Sequence, residues 1–131
     1  MEIRTVEENG VRFIEGVAGE AWLREARDAG LVIEACFSAA TRSALLYGTN
    51  LTPGFFDVSS RDAAELLQKL RSYRVRLAIV REQGAAAPSS RFHELLEAER
   101  RDGQFNVFEG RQPAVAWLTA ARARMELAGH D

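Results

Sequence analysis

The sequence predicts a single α/β domain, a mixed β-sheet with helices packed over it in the order ββαβαβαβα. Three observations carry that reading. Asn9-Gly10 separates two short apolar runs near the N-terminus, a strong hairpin signal. Residues 75–80 are almost continuously apolar, as a strand covered on both faces requires. Between and after these runs lie segments whose apolar residues recur at helical spacing. With 131 residues, 47% hydrophobic and 27% charged, the chain has the size and composition of one globular domain.

Taken in order, residues 3–6 and 11–14 form an opening hairpin, because Asn and Gly both tolerate the positive φ of a type I′ turn. Ala29, Val32, Ile33, Cys36 and Ala40 share one helical face and predict a helix over 28–39, with Trp22, Leu23 and Ala26 as an earlier turn. Ser43–Tyr47 is a short buried strand, and 50–57 is a loop broken by Pro53-Gly54. Ser59 or Ser60 caps a second helix with Ala63, Leu66, Leu67, Leu70 and Tyr73 inward. Its acids Asp62 and Glu65 sit near the positive start, and Lys69, Arg71 and Arg74 near the negative end. The strand over 75–80 follows directly. Ser89 or Ser90 caps a third helix, with Phe92, Leu95 and Leu96 inward, that stops at Asp102-Gly103. Residues 104–108 are the last strand. Pro113 occupies the first turn of a final helix with Ala114, Trp117, Leu118 and Ala121 on one face. The domain is expected to span 1–123, with 124–131 a frayed tail.

Charge and composition exclude several function classes. The 17 basic and 19 acidic residues leave a net charge of −2, too neutral for dedicated nucleic-acid or anionic-membrane binding. The distribution is uneven: residues 1–65 carry 6 basic and 11 acidic groups, and 66–131 carry 11 and 8. A single cysteine, Cys36, excludes an internal disulfide and fits a reducing cytoplasm. No apolar run approaches the about 20 residues of a membrane span, and Met1-Glu2-Ile3-Arg4 lacks a signal-peptide layout, so a cytoplasmic location is expected. Neither common glycine-lined phosphate loop occurs. His93 and His130 have no metal-ligating companions at suitable spacing, and no Ser-His-Asp set is suggested. Glu94, Glu97 and Glu99 read as a solvated helical face, and Cys36 as a packed, inert thiol. No catalytic residue, metal or cofactor is expected.

The stretch Asn50-Leu51-Thr52-Pro53-Gly54-Phe55-Phe56-Asp57, with Glu65-Leu66-Leu67-Gln68-Lys69-Leu70 and Tyr73-Arg74-Val75-Arg76-Leu77-Ala78-Ile79-Val80, resembles an uncharacterised bacterial family, domain-of-unknown-function family 4180. The likeness runs from about Ile3 to Leu118 and implies no particular activity. More distantly, the order of strands and helices is similar to the STAS domain of anti-sigma-factor antagonists. That family's signature is a strand followed by Asp-Ser-Ser-Gly at a helix start, where a phosphorylated Ser switches a protein partner. The corresponding place here reads Phe56-Asp57-Val58-Ser59-Ser60-Arg61, with Val58 inserted and Arg61 where the signature has Gly. The resemblance implies a regulatory domain with a protein partner.

Function is expected beyond the carboxyl ends of the parallel strands, where loops feed helix N-termini. The junctions are 48–60, 81–90 and 109–113. Phe55 and Phe56 are adjacent, so an extended backbone cannot turn both inward. One ring presented outward would mark a protein contact together with Asp57, Ser59, Ser60 and Arg61, and Ser59 or Ser60 is the candidate phosphorylation site. The leading expectation is therefore a non-catalytic regulatory or protein-interaction domain. The alternative is a sensor that holds an anionic metabolite or nucleotide at helix starts near Ser60 and Ser90, with Arg61, Arg81, Arg91 or Arg111 adding charge. The serines have a plainer role as N-caps. A homodimer is compatible with the sequence, although no feature fixes its interface.

Overall fold

A computed structural model describes residues 2–21, 23, 26–51, 61–81, 94, 97 and 103–128 of the chain. Strands β1 (Ile3–Glu8) and β2 (Val11–Gly16) form the hairpin. Glu8 pairs with Val11 across a two-residue turn in which Asn9 has φ 52° and Gly10 φ 76°, the geometry the Asn-Gly pair predicts. A 3-10 turn (Ala26–Asp28) leads into α1 (Ala29–Ser38). Then follow β3 (Ser43–Tyr47), a second 3-10 turn (Gly48–Asn50), α2 (Arg61–Ser72), β4 (Arg76–Val80), β5 (Phe105–Phe108) and α3 (Arg111–Ala128). Glu94 and Glu97 have helical backbone and are exposed, and the rest of the expected helix after Ser90 lies outside the described residues. The helical backbone of the last element continues to Ala128, past the tail boundary expected at 123.

The five strands lie in sequence order, β1-β2-β3-β4-β5. β1 and β2 are antiparallel, and the pairs β2–β3, β3–β4 and β4–β5 are parallel. Because the crossovers through α1 and α2 both advance one strand in the same direction, a common right-handed sense puts both helices on one face. Ile14, Ala44, Leu46, Leu77, Ile79 and Phe105 face them and meet Val32, Ile33 and Cys36 of α1 and Leu66, Leu67 and Leu70 of α2. On the opposite face Phe13, Leu45, Ala78 and Val80 meet Ala114, Val115 and Leu118 of α3. Coverage on both sides explains why β3 and β4 are apolar at nearly every position. β1 is an edge strand whose residues are all exposed or half-buried, and its charges protect the open edge.

Arg76 is the exception within the apolar run of β4. It is 8% exposed, donates from Nε to the Gly103 carbonyl at 2.8 Å and from NH1 to the Leu118 carbonyl at 3.3 Å, and stacks 3.9 Å from the Trp117 ring centre. These contacts replace the water its guanidinium gives up. Cys36 is fully buried, and burial pushes its thiol up to about 12, as expected of an inert packed thiol.

Two residues read as inward-facing are exposed. Ala40 lies beyond the end of α1, and Tyr73 beyond the end of α2, where the 3.6-residue period no longer applies. Both helices close in the same way. Thr41 N–H bonds to the Cys36 carbonyl and Val75 N–H to the Leu70 carbonyl, with Ala40 (φ 55°) and Arg74 (φ 58°) in the left-handed conformation between. A side chain in that conformation costs about 1 kcal/mol, which glycine avoids. Ala40→Gly should therefore raise stability by up to about 1 kcal/mol, a few degrees in thermal midpoint; a lower midpoint by scanning calorimetry would contradict this account of the helix end.

Candidate functional site

The carboxyl ends of β2, β3, β4 and β5 share one rim, which ends at Gly16, Tyr47, Val80 and Phe108. What leaves the sheet there is fixed by one buried side chain. Asn50 is fully buried, accepts the Tyr47 N–H through Oδ1 at 2.8 Å, and donates through Nδ2 to the carbonyls of Val17 (2.7 Å) and Glu20 (2.8 Å). Its own carbonyl accepts the Leu23 N–H, and the next residue, Leu51, forms a parallel bridge with Leu23. One amide thus joins the chain leaving β2 to the turn leaving β3. The sequence reading placed Asn50 at the head of a loop; the structure buries it as the tie between two connections.

On the α3 side of the rim lies a polar cluster. Glu15, at the end of β2, accepts Arg111 Nε and NH2, both at 3.0 Å, and the Tyr47 hydroxyl at 2.5 Å. Arg111 NH1 also reaches Glu8 Oε1 at 3.2 Å. Strand alternation places Glu15 on the same face as Phe13, and the first turn of α3 brings Arg111 over it. Burial alone would raise the Glu15 carboxyl, but hydrogen bonds from Arg111 and Tyr47 outweigh it and hold the group below the usual carboxylate range. Burial and the neighbouring carboxylate push the Tyr47 phenol up to about 12. The Glu15 bond chiefly raises Arg111, which stays protonated. The three side chains bond one another: the phenol keeps its proton and the Glu15 carboxylate accepts three hydrogen bonds. Among the described residues, no group of three or more His, Cys, Asp or Glu is placed to hold a metal.

Of the residues expected to form a site, Phe55, Phe56, Asp57, Ser59, Ser60 and Ser90 lie outside the described residues. Arg61 is the first residue of α2. Arg81 is on the rim, where its N–H bonds to the Phe108 carbonyl and NH1 pairs with Glu109 at 3.4 Å. Arg111, read as a free cation for an anion, is instead engaged by Glu8 and Glu15. Sequence reasoning passed over Glu8, Glu15 and Tyr47. The signal available was Glu15 two residues after Phe13, a carboxylate on the apolar face of a strand.

A second feature lies at the opposite edge of the sheet, where α1 and α2 end. Phe37 is 60% and Tyr73 47% exposed, and their rings meet edge to face with centres 6.2 Å apart. Beside Phe37 is an open cavity of about 350 Å³ lined by Cys36, Phe37, Ala40, Thr41 and Arg42. Phe37 falls just off the inward stripe of α1, so periodicity alone already turned it outward.

Two predictions follow the geometry. A Cβ on Gly16 would lie 2.5 Å from Asn50 Oδ1. Gly16→Ala should displace that amide and cost on the order of 2 kcal/mol or more in urea unfolding, because the buried Asn50 amide loses its bonds; an unchanged midpoint would refute the role given to Asn50. For Glu15, the folded carboxyl is held below its ordinary value of 4.5, so its contribution is full above that pH and is lost as pH falls through the folded value. Glu15→Gln should lower stability at pH 7 by about 1.5–3 kcal/mol and flatten the acid-side loss; parallel acid profiles for wild type and variant would contradict this.

No curated protein and no solved structure matches the chain. A family model does, over residues 8–118, which takes in the hairpin turn, all five strands from the end of β1 onward, the Asn50 tie and most of the packed part of α3. The chain belongs to the family described as Domain of unknown function (DUF4180).

Proposed function

We propose that the chain is a non-catalytic domain that works by binding another protein. The observation that carries this reading is the pair of exposed rings, Phe37 and Tyr73, held together on the surface by two helix ends. Contiguous exposed aromatic surface of this kind marks protein contacts. The rim chemistry supports the same reading. Glu15, Tyr47 and Arg111 satisfy one another, and the hydroxyl and carboxylate are each shifted away from the range a catalyst at neutral pH needs. Arg81 and Arg111 are engaged by carboxylates, so an anionic metabolite at the rim would have to displace Glu109, Glu8 or Glu15 first. That weighs against the sensor reading.

The likeness to STAS modules supplies a finer form of the proposal. Ser59 and Ser60 directly precede α2, and a phosphate there would add nearly two negative charges at a helix N-terminus beside Arg61. Regulation then consists of altering the surface around 55–61. Cross-linking mass spectrometry on the native cells, with intact-mass measurement of the isolated chain, tests both levels. A recurrent protein partner is expected, with phosphate on Ser59 or Ser60 in part of the population. Absence of any partner overturns the interaction reading; absence of phosphate alone removes only the switch.

A further inference from the structure

We propose that the Phe37–Tyr73 pair is the docking surface for a protein segment carrying an apolar anchor flanked by carboxylates; this rests on the interaction reading and names the partner's chemistry. The anchor's place is the two rings together with the cavity beside Phe37. The carboxylates are called for by the cations around it. Arg42 lines the same cavity, Arg74 follows Tyr73, and Lys69 lies in the last turn of α2, four residues before Tyr73. All three are exposed, and among the described residues no carboxylate pairs with Arg42, Arg74 or Lys69. The exposed acid nearest in sequence is Glu34, one turn before Phe37 on α1, outnumbered by the cations.

The surface is pre-formed. Ala40 N–H bonds to the Phe37 carbonyl and Arg74 N–H to the Arg71 carbonyl, within the same closures that fix Thr41 and Val75. Phe37 is one residue from the end of α1 and Tyr73 immediately follows α2, so neither ring depends on a loop being ordered by the partner. An acidic segment fits better than a second copy of the chain, because a two-fold contact over the rings would bring Arg42 and Arg74 toward their own images. A nucleic acid or an anionic bilayer would meet three cations on a chain of net charge −2. The edge-to-face rings also offer no parallel platform for successive bases.

The test pans a library of random dodecapeptides on the whole chain, with counter-selection on a Phe37→Ala/Arg74→Glu variant. The enriched peptide is then synthesised and titrated by fluorescence anisotropy and by amide NMR. Expected are Leu, Phe or Trp between Asp and Glu residues, with shifts centred on Phe37, Thr41, Arg42, Tyr73 and Arg74. Phe37→Ala should weaken binding about tenfold or more. Arg42→Glu and Arg74→Glu should each weaken it several-fold and reduce its salt dependence. Unchanged circular dichroism and thermal midpoint in the variants show that the loss is not unfolding. The proposal is overturned by failure to enrich any peptide, by a consensus without acids, or by binding indifferent to these substitutions. Tighter binding of single-stranded oligonucleotide or phosphatidylglycerol vesicles than of the peptide, or a dimer in sedimentation abolished by Phe37→Ala, overturns it equally. If cells yield a partner whose cross-links avoid α1 and α2, this surface falls while the interaction reading stands.

Discussion

The structure depends on a buried side-chain amide. Asn50 has no exposure and spends its amide on three backbone groups from two different connections. The amide itself lies where water does not reach, so each bond it makes to these half-buried backbone groups replaces one that solvent cannot supply to it. The amide needs room, and the chain supplies it by omission: at Gly16 a methyl group would lie 2.5 Å from Oδ1, too close for the amide to keep its place. Two residues 34 positions apart in the sequence are thus one steric unit, and the direction in which the chain leaves β2 and β3 follows from their fit.

That fit divides the molecule into a rim and an opposite edge with different chemistry. At the rim, polar groups close on one another: Glu15 takes Arg111 and Tyr47, and Arg81 takes Glu109. At the opposite edge, two helix ends leave aromatic rings in water beside Arg42, Arg74 and Lys69, which pair with no carboxylate among the described residues. Self-satisfied charge stabilises a fold, whereas exposed rings gain only when something covers them. The rule that ligands sit beyond the carboxyl ends of parallel strands describes where backbone donors converge; it is silent about apolar surface at the other end.

The architecture was legible because its signals are local. Asn9-Gly10 specified a turn by conformation, the spacing of Val32, Ile33 and Cys36 specified a face, and the apolar runs at 43–47 and 75–80 specified strands covered twice. What the sequence concealed depends on tertiary placement. Arg76 interrupts an apolar strand and is still buried, because Trp117 and two carbonyls from distant segments receive it. Tyr73 continued the inward stripe of α2 on paper, but the helix had already ended. Arg111 looked like a free cation until the sheet brought Glu8 and Glu15, about a hundred residues away, beneath it. The stretch from Phe55 to Ser60, chosen for its rings and serines, lies outside the described residues.

The sulfur in the last turn of α1 has one more consequence. Cys36 is the chain's only thiol, enclosed by the core and kept protonated far above neutral pH. Reagents that attack thiolates can reach it only while the surrounding layer is open. The rate of its chemical labelling is therefore a clock for how often the α1 layer lifts from the sheet, read without adding any probe to the molecule.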